Sequence, residues 1–183
     1  MAPTCGGMNW LLIEKGEGTL IAGEFVGRFT SGDIFLIGSG QPHVFRNDDL
    51  YYKSKSKLRV EAVSIYFDER YAGESFWQLD ELRKVHQFLL EAGVGYRIQG
   101  KTHTLLTLLI HELIPLKGIN KLIRFFQLLK VLSESKELIP LSIIKTTATF
   151  STTEGKRMND ILQFTFNQSH RKIKIEEVAE VAN

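Results

Sequence analysis

Apolar residues recur along this chain at two different spacings, and the change falls near Gly73. Before it, seven glycines lie between Gly16 and Gly40, and the runs between and just after them read as short strands at residues 19–22, 24–26, 34–37 and 43–45. A longer strand follows at residues 58–67, with Val60, Ala62, Ser64 and Tyr66 sharing one face. No strand is read before Gly16, so the β region is expected to begin late. Many short, closely spaced strands predict an antiparallel sandwich or barrel.

Beyond Gly73 the period lengthens to about 3.6 residues. Phe76, Leu79, Leu82, Val85, His86 and Leu89 mark one amphipathic helix. Two more are predicted at residues 101–114 and 119–132, with Pro115 and Gly118 between them, as expected of a tight helical hairpin. The last of these is apolar over most of its circumference: Ile119, Leu122, Ile123, Phe125, Phe126, Leu128, Leu129, Val131 and Leu132. A surface helix needs only one apolar stripe, so this one is expected to serve two partners. The neighbouring helix can be one, and a barrel face or a second copy of the protein the other; the second copy, met through Leu122, Ile123, Phe126 and Leu129, is the expected partner, and the alternative is that one chain's core absorbs every face. Residues 146–156, rich in Thr and Ser, read as a linker. Met158, Ile161 and Leu162 then mark a further helix, and Ile175–Ala182 another. The expected division is a barrel at 1–72, a helical region at 73–145, the linker, and a final helical segment at 157–183.

Composition narrows the function classes. The chain has 183 residues, 43% apolar and 24% charged, with a net charge of +2. That balance is ordinary for a globular protein and too small for a broadly basic nucleic-acid face. Any DNA contact must come from a local module. The single cysteine, Cys5, excludes an internal disulfide, and no targeting segment precedes the strands, so a cytoplasmic protein with no membrane partner is expected. The other histidines, His86, His103, His111 and His170, are not spaced with a nucleophile and a carboxylate as a catalytic triad would be.

Gly32, Gly40, His43 and Asn47 carry the most informative spacing. It resembles the second motif of the cupin superfamily, in which a proline usually stands where this chain has Gly38. Gly40 suits a turn with positive φ, and His43 is expected to point into the barrel mouth. There it serves either as a local hydrogen-bonding group or as a ligand contact. In metal-binding cupins further ligands come from the first motif, at positions that correspond here to Ala2, Thr4 and Asn9. None of these is a good ligand, and one histidine does not make a stable site, so no metal and no cofactor are expected. Trp10, His43, Phe45 and Tyr66 are the candidate ligand-binding residues, though scattered aromatics can equally fill a core.

The order of parts, a glycine-punctuated barrel, a helical hairpin and a segment ending Ile173-Lys174-Ile175-Glu176-Glu177-Val178-Ala179, resembles the AraC/XylS-type transcription regulators. The expected fold class is therefore α+β: a cupin-like antiparallel barrel, a helical hairpin and the first helices of a helix-turn-helix domain. The resemblance implies a barrel that binds a small effector such as a sugar, a hairpin that makes a homodimer, and DNA binding in the full-length protein only. Ile175–Ala182 would be the first helix of the helix-turn-helix, with the recognition helix beyond Asn183. Lys174 departs from the usual serine or threonine cap, a loss that costs about 1 kcal/mol. The protein is not expected to be an enzyme. The alternatives are a small metal-independent cupin enzyme or binding protein for a sugar or organic acid, and a dimerising scaffold whose barrel is plugged by aromatic side chains.

Overall fold

In the computed structural model, which describes residues 7–143, 152–168 and 171–182, the strands are β1 (Met8–Lys15), β2 (Gly18–Ala22), β3 (Phe25–Phe29), β4 (Ile34–Ile37), β5 (His43–Asn47), β6 (Glu61–Phe67), β7 (Tyr96–Ile98) and β8 (Leu138–Pro140). They form two antiparallel sheets, of order β6-β1-β4-β7-β8 and β3-β2-β5. The helices are α1 (Glu74–Trp77), α2 (Arg83–Glu91), α3 (Gly100–Leu113), α4 (Gly118–Glu134), α5 (Thr152–Asn167) and α6 (Ile175–Ala182). The architecture is α+β. The described strands make two facing sheets and not a closed barrel.

Alternate side chains of the central strands enter two different cores. All four residues of β4 are buried. Ile34 and Leu36 point to the helices, where they meet Met8, Trp10 and Leu12 of β1 and Leu106, Ile110, Leu128 and Leu129 of the hairpin. Phe35 and Ile37 point to the small sheet and meet Ile13, Leu20, Ala22 and Phe29. The five-stranded sheet is thus the middle of three layers. A strand that sends apolar residues to both faces shows little alternation of polar and apolar residues, which is why Met8–Lys15 does not read as a half-exposed strand.

The β region therefore begins earlier than the glycine spacing suggests. It also draws two strands from the helical region, since β7 pairs with β4 and β8 with β7. The sheet runs across the division expected at residues 72/73. At three residues each, β7 and β8 are too short to show a period. Arg97 of β7 holds Asp33 at 2.7 Å, just before β4, and its guanidinium lies over the Phe35 ring at 5.7 Å. Glu137, before β8, accepts a hydrogen bond from the Thr102 backbone N–H at 2.7 Å. That contact caps the first turn of α3, whose own N-cap residue, Gln99, makes no side-chain cap. The backbone N–H groups that donate to Glu137 hold its carboxyl below the usual carboxylate range.

Two helical expectations change. The helix read from Phe76 to Leu89 is broken at Leu79, whose backbone is extended (φ −60°, ψ 135°). Helix α5 starts at Thr152, so the end of the expected linker is helical; residues 146–151 lie outside the described residues.

Residue 38 is a glycine for a local reason. A Cβ at this residue would lie 2.6 Å from the Ala92 carbonyl oxygen and 2.7 Å from Gly93 Cα. The turn after α2 packs directly on the end of β4, and no side chain fits between them. Gly40 has the positive φ, 69°, expected of its turn. Replacing Gly38 with alanine should lower stability by about 1–3 kcal/mol, the usual cost of overpacking. Chemical denaturation measures it, and an unchanged midpoint would contradict the close backbone approach.

Candidate functional site

Trp10, His43, Phe45 and Tyr66 do not converge on one cavity, because strand alternation sends them to different layers. Trp10 is buried on the helix side, stacked on Phe125 with ring centroids 5.4 Å apart. Its indole N–H is buried and has no hydrogen-bond partner among the described residues. It is a core residue of the sheet–hairpin contact, not a wall of a barrel mouth.

His43 and Phe45 belong to the opposite layer. Phe45 pairs across β2 with Leu20, and His43 with Ala22. The Phe45 ring meets Phe29 at 5.4 Å and Phe35 at 5.8 Å, both edge-on. These three phenylalanines occupy the space between the sheets. His43 is half-buried, and its Nδ1 lies 2.9 Å from the Gln41 carbonyl oxygen. A neutral ring that donates from Nδ1 keeps Nε2 as an acceptor. Burial disfavours the imidazolium and pulls the pKa down; the carbonyl contact opposes this more weakly. The Gln41 side chain, buried beside it, accepts from Gly38 N–H and donates to the Val94 carbonyl oxygen.

Tyr66 lies at the end of β6 and is 44% exposed. It borders a pocket of about 450 Å³ between β6, α1 and the α3–α4 hairpin. Leu122 and Phe126, two of the residues expected at a subunit interface, line the same pocket. Phe126 packs against Phe76 at 5.7 Å. Leu129, a third, is fully enclosed by its own chain and presents no surface to a partner. Of the four, only Ile123 is strongly exposed. The breadth of apolar character on α4 is thus shared between the chain's own core, the pocket and an outer face. The pocket residues Tyr71, Trp77 and Lys121 were not singled out from sequence. The only hint of them was that α4 is more apolar than one partner requires.

Among the described residues, no three His, Cys, Asp or Glu side chains stand close enough to hold a metal ion. Asn9 is in the sheet, where its Oδ1 accepts from Ser64 Oγ at 2.5 Å. Ala2, Thr4, Cys5 and His170 lie outside the described residues. No helix among those described is long and apolar enough to cross a membrane.

At the C-terminal end, α5 and α6 pack together. The cap that Lys174 cannot supply is replaced from inside the helix and from the preceding turn. Glu177 accepts the Lys174 backbone N–H at 2.9 Å, the reciprocal half of a capping box. Its two carboxylate oxygens also accept from Arg171 at 2.6 and 3.0 Å. Both contacts favour the ionised form and hold the Glu177 pKa down, at about 2.

His43 makes a pH dependence testable. Its pKa is lowered on folding, so the unfolded chain binds the proton more readily. The resulting stability is present above the unfolded value, near 6.5, and is lost as pH falls from there through the folded value. Denaturation midpoints at a series of pH values should therefore drop below about pH 6.5, and more steeply in the natural chain than in His43→Gln. Identical profiles for the two proteins would contradict the lowered His43 pKa.

No family model matches this chain, and no curated protein matches it.

Proposed function

We propose that these residues are the effector-sensing and dimerising part of a ligand-responsive transcription regulator of the AraC/XylS type, with the recognition helix supplied by sequence beyond Asn183. The observation that carries this reading is α6. A helix begins at Ile175, as the Ile173–Ala179 pattern requires, packs against α5 and is anchored by Glu177. A short helix so fixed against a longer one suits the first helix of a helix-turn-helix, which crosses the DNA backbone while its successor reads the major groove. The acidic first turn of α6, Glu176 and Glu177, offsets Arg171, Lys172 and Lys174. By itself this segment therefore offers DNA only weak, salt-sensitive attraction.

Dimerisation is supported by the outward side of the hairpin. Leu105 and Leu108 of α3 and Ile119 and Ile123 of α4 are 43%, 55%, 66% and 52% exposed. Glu112 and Arg124 bridge the two helices at 2.7 Å and hold these residues on one rigid unit. Exposed aliphatic side chains on both helices of the hairpin are what an interaction surface would use. Of the set first expected only Ile123 belongs to this exposed group, since Leu129 is internal and Leu122 and Phe126 line the pocket. A second reading, a dimerising scaffold that senses nothing between its sheets, is favoured by the packing of Phe29, Phe35 and Phe45 in that space.

Two measurements test these statements. Light scattering on the natural chain at micromolar concentration should report a dimer, and Leu108→Glu with Ile123→Glu should give a folded monomer. A natural chain that is monomeric would remove the dimer. In a mobility-shift assay at physiological salt, the full gene product should retain one duplex sequence over scrambled DNA, whereas the 183-residue chain should not. Tight, sequence-selective binding by the shorter chain would show that the reading helix lies within it.

A further inference from the structure

The pocket beside the hairpin has the chemistry of a ligand site, and its volume, about 450 Å³, lies within the range of small-molecule pockets. Its walls include Phe67, Tyr71, Trp77, Phe125 and Phe126, with Lys121 at the edge. The rings brace one another. Phe67 meets Phe125 at 4.9 Å and Trp77 at 5.8 Å, and Phe125 meets Phe126 at 6.0 Å. These walls come from β6, α1, α4 and the turn between β6 and α1, so the pocket is set by the packing of separate elements.

Charge at the pocket has one uncompensated sign. Asp68 also lines it, but Arg70 holds both Asp68 oxygens, at 2.7 and 3.0 Å. The Arg70 side chain, and more weakly its own backbone N–H, favour the ionised carboxylate and lower its pKa. Lys121 makes no ion pair among the described residues. Gly118, at the first turn of α4, lines the pocket too, and the positive end of that helix adds to the same sign. A flat apolar body would stack among the rings, while an anionic group would meet the ammonium.

We infer that this pocket, and not the space between the sheets, binds the protein's small ligand, and that the ligand is an aromatic monocarboxylate of one or two rings. The assignment of the site rests on the pocket; its role as the effector site rests on the sensing function proposed above. Lys121, Phe125 and Phe126 belong to the same helix as Ile119 and Ile123. A ligand held here touches the helix whose outer side faces the second copy, so occupancy and association share one rigid element.

The test is calorimetric titration of the whole chain with benzoate, naphthalene-2-carboxylate and indole-3-propionate, each beside its neutral amide. At least one carboxylate should bind, and its amide should bind about tenfold more weakly, as expected for the loss of one charge-assisted contact. Lys121→Met should weaken the carboxylate by a similar factor and leave the amide unchanged. Phe126→Ala should weaken both. Lys121 is exposed, so its variant folds, and an unaltered circular dichroism spectrum verifies this. Absence of binding by all three carboxylates, or binding indifferent to Lys121, would overturn the assignment. So would binding abolished by His43→Gln but not by Lys121→Met. Light scattering on the same samples reports separately on sensing. Lys121-dependent binding that leaves the monomer–dimer balance unmoved would uphold the site and remove its sensory role.

Discussion

Much of this structure depends on a central strand, β4, that has no solvent face. The four residues of β4 alternate between two cores, Ile34 and Leu36 toward the helices and Phe35 and Ile37 toward the small sheet. β1 does the same with Met8, Trp10 and Leu12 on one side and Ile13 on the other. Burying apolar area on both faces roughly doubles what each residue of strand contributes, at about 25 cal/mol per Å² removed from water. It also leaves no tolerance in register. A slip by one residue would exchange the two sets of side chains between layers that differ in shape. The close approach of Ala92 and Gly93 to Gly38 follows from the same demand, because the helical layer must sit directly on the sheet to fill the outer core.

That constraint explains why the hairpin cannot be regarded as a separate appendage. It is stitched to the sheet by β7 and β8, by the Arg97–Asp33 pair, by Glu137 capping α3, and by contacts of His103 with the Gly32 carbonyl and of His111 with Glu14. A force applied to α4 is therefore carried into the sheet through packed side chains, not through a flexible joint. In a sensing protein such rigidity is useful, since a ligand can act on a distant surface only through elements with defined positions. It also places the aromatic pocket at the seam between the hairpin and the end of β6.

The aromatic residues divide into two groups with different duties. Phe29, Phe35 and Phe45 lock the two sheets together edge-on. Trp10, Phe67, Trp77, Phe125 and Phe126 form a continuous series on the helix side, with one flank enclosed and the other open. The enclosed flank includes Trp10, whose N–H has no partner among the described residues. A buried donor without a partner is costly. Leucine or phenylalanine would fill a core without that cost, and nothing in the packing explains why tryptophan stands there.

By itself the sequence determined the class of fold and the identity of most elements. Glycine spacing between Gly16 and Gly40 located strands β2 to β5, and the 3.6-residue period located α3, α4 and α6 to within two residues at each end. Local chemistry suffices there, because turns need positive φ and one-sided helices need an apolar stripe. The positions of Gly40 and of Ile175 were legible for the same reason. What only the tertiary structure decided is what each apolar residue faces. Met8–Lys15 carries apolar residues on both sides and so loses the alternation that would mark it; β7 and β8 are too short to show any. Leu122, Ile123, Phe126 and Leu129 look equivalent along the chain, yet one is core, two line a pocket and one is outside. A hydrophobic side chain records only that it is driven out of water, a non-directional effect. Which neighbour covers it is settled by how the layers assemble.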